Sequence, residues 1–552
     1  MNGTIRQRLE RGKRRIGKRL EPLIGGTDPR IEGEPELTRQ RPSYEIAERA
    51  QAIPCGGIGA IHQLVRSVGL AERIDERLCV LKQPKPYQDS DHILNIAYNL
   101  LCGGQVLDDI EVRRNDVVFL DAVGARAIPD PTTAGDYCRR FDREAIWRLM
   151  DIINDVRAAI WREQPESFIS ATARIDADGT ILPTSGECKE GMDMSYKGVW
   201  GYHPLLISLA NTQEPLFLVN RSGNRPSHEG AAELLDKAVA LCRHGGFRDI
   251  LLRGDTDFSL TAHLDRWDGN GVRFVFGYDA NASFVDRAES LPGGEYSELE
   301  RRADQVFEAQ PRAKQPRVKE QIVVERGYRN LRLLSEDVAE FEHKPARAKR
   351  TYRIVVVRKR ILEERGQRCL DEFYRYMFYI TNDRAMSPRE VVAEANHRCD
   401  QENLIDQLKN GARALHAPLN TLDANWAYML IASLAWTLKA WFALMLPITP
   451  RWRKRHEAQR HLVLRMEFRT FPSATRDGAC SDPPYRTSHR LPTTRLASAA
   501  ATPVPPARRG LNPGLPDAIR RRQAPGNPAT QTPLITPTGA STRTNHNLPV
   551  TP

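Results

Sequence analysis

The chain has 552 residues, with 81 Lys and Arg against 70 Asp and Glu and a formal net charge of +11. That length predicts three or four domains, and the basic balance favours a polyanionic partner, which for a long chain is usually nucleic acid. Nine scattered cysteines, with no C-x-x-C pair and no neighbouring His pair, indicate neither a zinc site nor a disulfide framework, and a reducing cytoplasm is the expected compartment.

Residues 1–45 form a basic arm (Arg6, Arg8, Arg11, Lys13, Arg14, Arg15, Lys18, Arg19) in place of the apolar core of a secretory signal. The arm reads either as a DNA-phosphate tracker or as a solvated terminus. Residues 46–165 are mostly helical in pattern, with helices expected near 90–101 and 144–162. Between them, Pro131-Thr132-Thr133-Ala134-Gly135-Asp136 reads as a helix start ahead of Arg139-Arg140. A helix-turn-helix and a purely structural prefix both fit this region.

The region 166–470 begins with two apolar strands that each end on acids. The first, Ala173-Arg174-Ile175-Asp176-Ala177-Asp178-Gly179-Thr180, closes on a turn sequence that holds a carboxylate at a strand end. Asp176 and Asp178 lie two residues apart and so share a strand face. The second, Asp249 through Leu251-Leu252-Arg253-Gly254-Asp255, runs straight into Asp255, with Asp257 as its neighbouring rival. Between them lie a hairpin pattern (205–209 and 216–219 around Asn211-Thr212-Gln213-Glu214), a Gly/Asn/Pro loop and a helical stretch 229–243. Strand-like runs follow at 272–276, 321–324, 352–357 and 376–380, read as a β-rich insertion spanning about 259–385. The cations Lys344, Arg347, Lys349, Arg350 and Arg353, with Tyr352 among them, suit either DNA contact or a charge-protected strand edge.

A capping box with Pro at the first helical position, Ser387-Pro388-Arg389-Glu390, opens one long helix that Asn410-Gly411 ends. At roughly 100° per residue, Arg398, Glu402 and Lys409 fall in a narrow sector of that helix, one acid between two bases. The plain alternative is a solvated face with i,i+4 ion pairs. Residues 426–446 then form an apolar run near the length of a membrane span. Lys439 within it and the Trp residues spread along it predict a buried core helix instead. The tail, 471–552, is rich in Pro, Thr, Ala and Arg, lacks Lys and has no aromatic residue after Tyr485. It cannot bury enough apolar surface to order itself. Its abrupt start reads as translation out of an ancestral frame.

In this order of strand with acid, hairpin, helix, strand with acid and helix with acid, the chain resembles the DDE insertion-sequence transposases, in the group with a tyrosine, arginine, glutamate, lysine signature. Gly201-Tyr202-His203-Pro204-Leu205 and Leu252-Arg253-Gly254-Asp255 resemble that family as well. The resemblance implies an α/β fold: an RNase H-like mixed sheet flanked by helices, with the β-rich insertion inside the 166–470 catalytic domain and the 46–165 domain binding DNA ends. It implies Asp178, Asp255 and Glu402 as catalytic metal ligands, with Asp176 the rival for the first. Arg398 and Lys409 match the arginine and lysine of the signature, as DNA phosphate contacts, while Ala395 stands where the tyrosine would be. Two Mg2+ ions are implied as cofactors, with Mn2+ as a substitute. They would lie about 3.5 to 4 Å apart, one activating a water or 3′-hydroxyl and one stabilising the leaving oxygen. Double-stranded DNA, both element ends and target, is the implied partner, with a homodimer in the DNA complex, no membrane and a nucleoid-associated cytoplasmic setting. The function implied is cleavage and strand transfer at terminal inverted repeats of a bacterial insertion sequence. A nuclease without transposition and an inactive DNA-binding remnant are the alternatives.

Overall fold

The structure, a computed structural model, describes residue 55 and residues 57–83, 86–186, 188–299, 329–365 and 368–477. The basic arm, the expected strand 321–324 and the tail beyond residue 477 lie outside the described residues.

A helical prefix comes first: α1 (Ile58–Ser67), α2 (Leu70–Arg77), α3 (Asp89–Leu101), α4 (Ile110–Arg114), α5 (Val117–Ala122), α6 (Pro131–Cys138), α7 (Arg143–Arg162) and α8 (Glu166–Ile169). Asp130 caps α6 through the Thr133 N–H with Pro131 at its first position, and Asp142 caps α7 through the Ala145 N–H.

Side-chain alternation then builds the central sheet. In β1 (Ala173–Gly179), Ile175 and Ala177 face one side, and Arg174, Asp176 and Asp178 face the other. A small separate sheet holds β2 (Leu182–Pro183), β3 (Asp193–Met194) and β4 (Trp200–Tyr202) in the order β2-β4-β3. The hairpin of β5 (Leu205–Leu209) and β6 (Glu214–Val219) pairs antiparallel to β1, with Asp178 opposite Leu206. After α9 (Ala231–His244), β7 (Ile250–Gly254) joins the other side of β1 in parallel, and β8 (Arg273–Tyr278) joins β7 likewise. The order β6-β5-β1-β7-β8 is the expected RNase H-like mixed sheet.

The insertion is β-rich, and its strands continue this same sheet. After α10 (Leu264–Gly269) and α11 (Ala282–Glu289) come β9 (Ser297–Glu298), β10 (Arg329–His343), β11 (Tyr352–Arg365) and β12 (Arg368–Thr381). Residues Phe378 to Thr381 of β12 pair antiparallel with β8, and the sheet runs on through β12-β11-β10-β9. β11 and β12 are far longer than their apolar runs, because cross-strand pairs such as Arg358–Asp337 and Arg360–Glu372 carry their charged halves. Of the basic stretch, Arg350 pairs with Asp268, and Arg353 pairs with Glu340 and donates to the Asp383 and Met386 carbonyls.

The last helices are α12 (Pro388–His397), α13 (Cys399–Asp406), α14 (Leu422–Met445), α15 (Arg453–Arg465) and α16 (Thr470–Asp477). α14 is long and apolar enough to cross a membrane, yet it is almost wholly buried against α3, α7, α15 and β6. Its Lys439 amine donates to the Leu464 and Met466 carbonyls at 2.9 and 2.6 Å. The prefix shares the core of the sheet. Buried Glu214 on β6 accepts from Arg157 and Trp161 of α7 and from Trp441 of α14, so one carboxylate ties three elements together. Phe471, expected to open the disordered tail, is buried against Phe442, so the folded unit extends through α16.

Candidate active site

The Ser387 capping box forms as expected, with the Ser387 N–H donating to Glu390 at 2.7 Å. The single long helix does not. At Arg398 the backbone tightens, its N–H bonding to Ala395 O and its carbonyl accepting from Gln401 N–H, three residues on each side. α12 and α13 therefore meet at Arg398, and the run 407–411 widens into a π-helical turn, with Ala412 N–H reaching Gln407 O.

α12 lies on the sheet face that carries Arg174, Asp176 and Asp178. Val391 and Val392 pack on Leu251, Val275, Val355 and Val357. Glu394 accepts from Arg174 at 2.5 to 3.0 Å and from Arg253 at 3.1 Å. Arg253 in turn grips Asp176 with two bonds of 2.7 and 2.8 Å, and both side chains are fully buried. Asp176 is thus committed to holding β7 and α12 on β1. Gln401 fastens α13 over β5, donating to the Leu206 carbonyl and accepting from the Ser208 hydroxyl. Ala395 packs beside Val391 and Val392 and supplies no hydroxyl.

Three carboxylates face one neighbourhood. Asp178 stands at the end of β1, and Asp255 follows β7, where it caps a short turn by accepting from the Asp257 N–H at 3.0 Å. Gly254 before it is required, since a Cβ there would lie 2.6 Å from Phe258 Cβ. Glu402 sits on the exposed side of α13, its side chain 62% accessible against 15% for Asp178. Arg398 aims one guanidinium nitrogen at Asp178 and the other at Glu402, each at 3.6 Å. Burial pushes the Asp178 carboxyl up to about 7, with the charges of Asp255 and Glu402 adding and Arg398 opposing. Asp255 is raised too, chiefly by burial, with Asp257 and Asp279 adding and Arg398 again opposing. Asp257 is exposed on the turn beyond.

Lys409 reaches this strand end from the π-turn, donating to Thr180 Oγ1 at 2.6 Å and the Ile181 carbonyl at 2.9 Å. Burial lowers its pKa, and the Asp178 charge opposes that shift. His203 lies just behind: its Nδ1 is 2.7 Å from the Arg225 carbonyl, and a Cβ on Gly179 would come within 2.9 Å of its Nε2. Sequence reasoning assigned no role to His203, Glu394 or Gln401. The first was visible only as part of Gly201-Tyr202-His203-Pro204-Leu205, and the other two carry no signal without the packing.

Among the described residues no three His, Cys, Asp or Glu side chains are drawn together as ligands of one metal ion. The Arg398 guanidinium provides the positive charge between Asp178 and Glu402. As a donor set, three carboxylates with one freely exposed member suit a hard divalent cation that keeps water and phosphate oxygens in its shell.

The sheet has RNase H-like order, with acids at the ends of its first and fourth strands and on a late helix. The chain belongs to the transposase DDE domain group 1 family, whose model matches residues 52–466, and is a transposase. A cryo-EM structure of a piggyBac transposase synaptic complex with hairpin DNA is similar at a TM-score of 0.36 and 11% identity, over 85% of this chain and 92% of that one. No curated protein matches the chain.

Proposed function

We propose that this transposase serves a bacterial insertion sequence, cutting and joining DNA at the element's terminal inverted repeats, with Asp178, Asp255 and Glu402 as its catalytic carboxylates. The observation that carries the reading is that Arg398 lies 3.6 Å from both Asp178 and Glu402, with Asp255 near enough for its charge to act on Asp178, although the three come from two strand ends and a helix far apart in sequence.

Asp178, Asp255 and Glu402 would hold two Mg2+ ions, or Mn2+ in their place, which when bound supply an activated water or 3′-hydroxyl and stabilise the leaving oxygen. The protein's own part is positional. The Arg253–Asp176–Glu394 cluster fixes α12 on the sheet, and Gln401 fixes α13 above β5, so that Glu402 is presented beside two rigid strand ends. Arg398 is placed to exchange its carboxylate partners for a DNA phosphate, as a planar fork. Lys409, already bonded to Thr180 and Ile181, adds positive charge at the same edge. Double-stranded DNA is the partner, in a homodimeric complex within the nucleoid-associated cytoplasm.

The test uses purified full-length chain and DNA carrying the ends found in the sequence flanking its gene. Mg2+-dependent nicking at those ends together with joined products is the expected result. Nicking without joining would mark a nuclease, and end binding without nicking an inactive remnant.

A further inference from the structure

Beside the candidate site, the hairpin of β3 and β4 exposes two large rings, with Tyr196 76% and Trp200 51% accessible, and Met194, 40% accessible, is the cross-strand partner of Trp200. Exposed singly such side chains need no explanation, but this one small hairpin carries three of them between residues 194 and 200. The hairpin tip is rigidly made. The Ser195 N–H bonds to the Val199 carbonyl at 2.9 Å, the buried Ser195 hydroxyl accepts from Val199 N–H at 3.1 Å, and Gly198 takes the left-handed conformation at φ +71°. Folding gains little from rings held in water on so ordered a tip.

The hairpin adjoins the acids. Tyr196 lies 6.4 Å, centroid to centroid, from His203, whose Nε2 abuts Gly179, the residue after Asp178. One cation stands by the exposed ring: Lys197 Nζ is 5.3 Å from the Tyr196 centroid and near enough to Lys409 for the two amines to repel, while Asp193 on the same hairpin is engaged by the Asn224 amide. Flat rings interleaved with a cation next to a strand-cutting site suit an aromatic ligand that carries phosphate.

Resting on the transposase reading, we infer that the β3–β4 hairpin is a nucleobase-stacking subsite in which Tyr196 and Trp200 take unpaired bases of the DNA strand lying at Asp178, Asp255 and Glu402. Every base offers a π-face, so the subsite takes bases without regard to sequence, and Lys197 meets the adjoining phosphate.

Two probes test it with the full-length protein in Ca2+: a short duplex with a single-stranded 3′ extension containing 2-aminopurine, and the blunt duplex of the same sequence. The parent is expected to prefer the extended probe and to change the 2-aminopurine emission on binding. Tyr196→Ala and Trp200→Ala should each weaken the extended probe about fivefold or more while leaving the blunt duplex unchanged, which also reports intact folding. Tyr196→Phe and Trp200→Phe, which keep a ring, should restore the preference. Equal weakening on both probes, or none on either, overturns the subsite. A parent that cuts in Mg2+ yet shows no preference for the extension overturns the subsite alone. One that shows the preference but never cuts overturns the catalytic reading alone.

Discussion

Arg398 Nη1 lies 3.6 Å from the Asp178 carboxylate, so the junction of the two acid-bearing helices is paired with the end of the first core strand. Its other guanidinium nitrogen lies 3.6 Å from Glu402, and its charge opposes the upward shifts of the Asp178 and Asp255 carboxyls.

Replacing Arg398 by Ala therefore leaves the acids facing one another. In EDTA the variant is expected to lose on the order of 1 kcal/mol of stability, and to gain more in melting temperature than the parent when Mg2+ is added. Its salt dependence of DNA binding should also flatten, by about one unit of log–log slope. Equal Mg2+ gains for both proteins in a thermal-shift titration would show that Arg398 does not stand in for the cation.

Asp178→Asn, Asp255→Asn and Glu402→Gln keep side-chain shape and remove the charge that binds metal. Each is expected to lower Mg2+-dependent cleavage roughly a thousandfold or more with little change in binding to DNA ends. Gel assays on end-containing DNA decide it, and near-normal cleavage by any variant removes that residue from the site.

Arg253→Met strands Asp176 and leaves Glu394 with Arg174 alone. The expected loss is about 3–5 kcal/mol, because a buried carboxylate without its partner retains its full desolvation penalty. Adding Asp176→Leu should recover much of that loss. Urea denaturation of the two variants measures both steps, and a single variant as stable as the parent would show that the pair does not hold α12 in place.

Burial lowers the Lys439 pKa from 10.5 to about 7. Between those values the unfolded chain binds a proton that the folded chain lacks, so this group makes the fold more stable as pH rises through the window. Measured against Lys439→Met from pH 7 to 10, the parent should gain at most about 1.4 kcal/mol per pH unit. A flat difference would mean that the amine stays charged where it is.

Truncation after Asp477 is expected to leave folding and cleavage unchanged, whereas truncation after Glu467 removes buried Phe468 and Phe471. Losing one such ring costs about 3–5 kcal/mol, so the shorter protein should fail to fold cooperatively. Thermal melts of the two truncations separate the outcomes.

The segments whose apolar period is local were legible without coordinates. The β5–β6 hairpin, β7, the Ser387 capping box and the buried α14 carry their pattern within a few residues of chain, and turn and cap chemistry marks their ends. The same local signals put Asp178 and Asp255 at strand ends and put Arg398, Glu402 and Lys409 on one helical stretch. β10 was missed because Leu331, Leu333 and Leu334 on its outer half stand exposed, and Glu336, Asp337, Glu340 and Glu342 interrupt its inner half, so no period of two remains to be read.

What the sequence by itself determined was which residue types stand at the ends of which elements. Only the tertiary structure decided their partners. Asp176 and Asp178 are chemically alike and share a strand face, yet Arg253 and Glu394, brought from 77 and more residues away, bury one in an ion-pair cluster. The other is left at the strand end with Arg398. The insertion's place at the edge of the core sheet rests likewise on the pairing of β8 with β12. Such choices are long-range: the burial and charge a residue experiences come from elements that folding sets beside it, and no local periodicity encodes them.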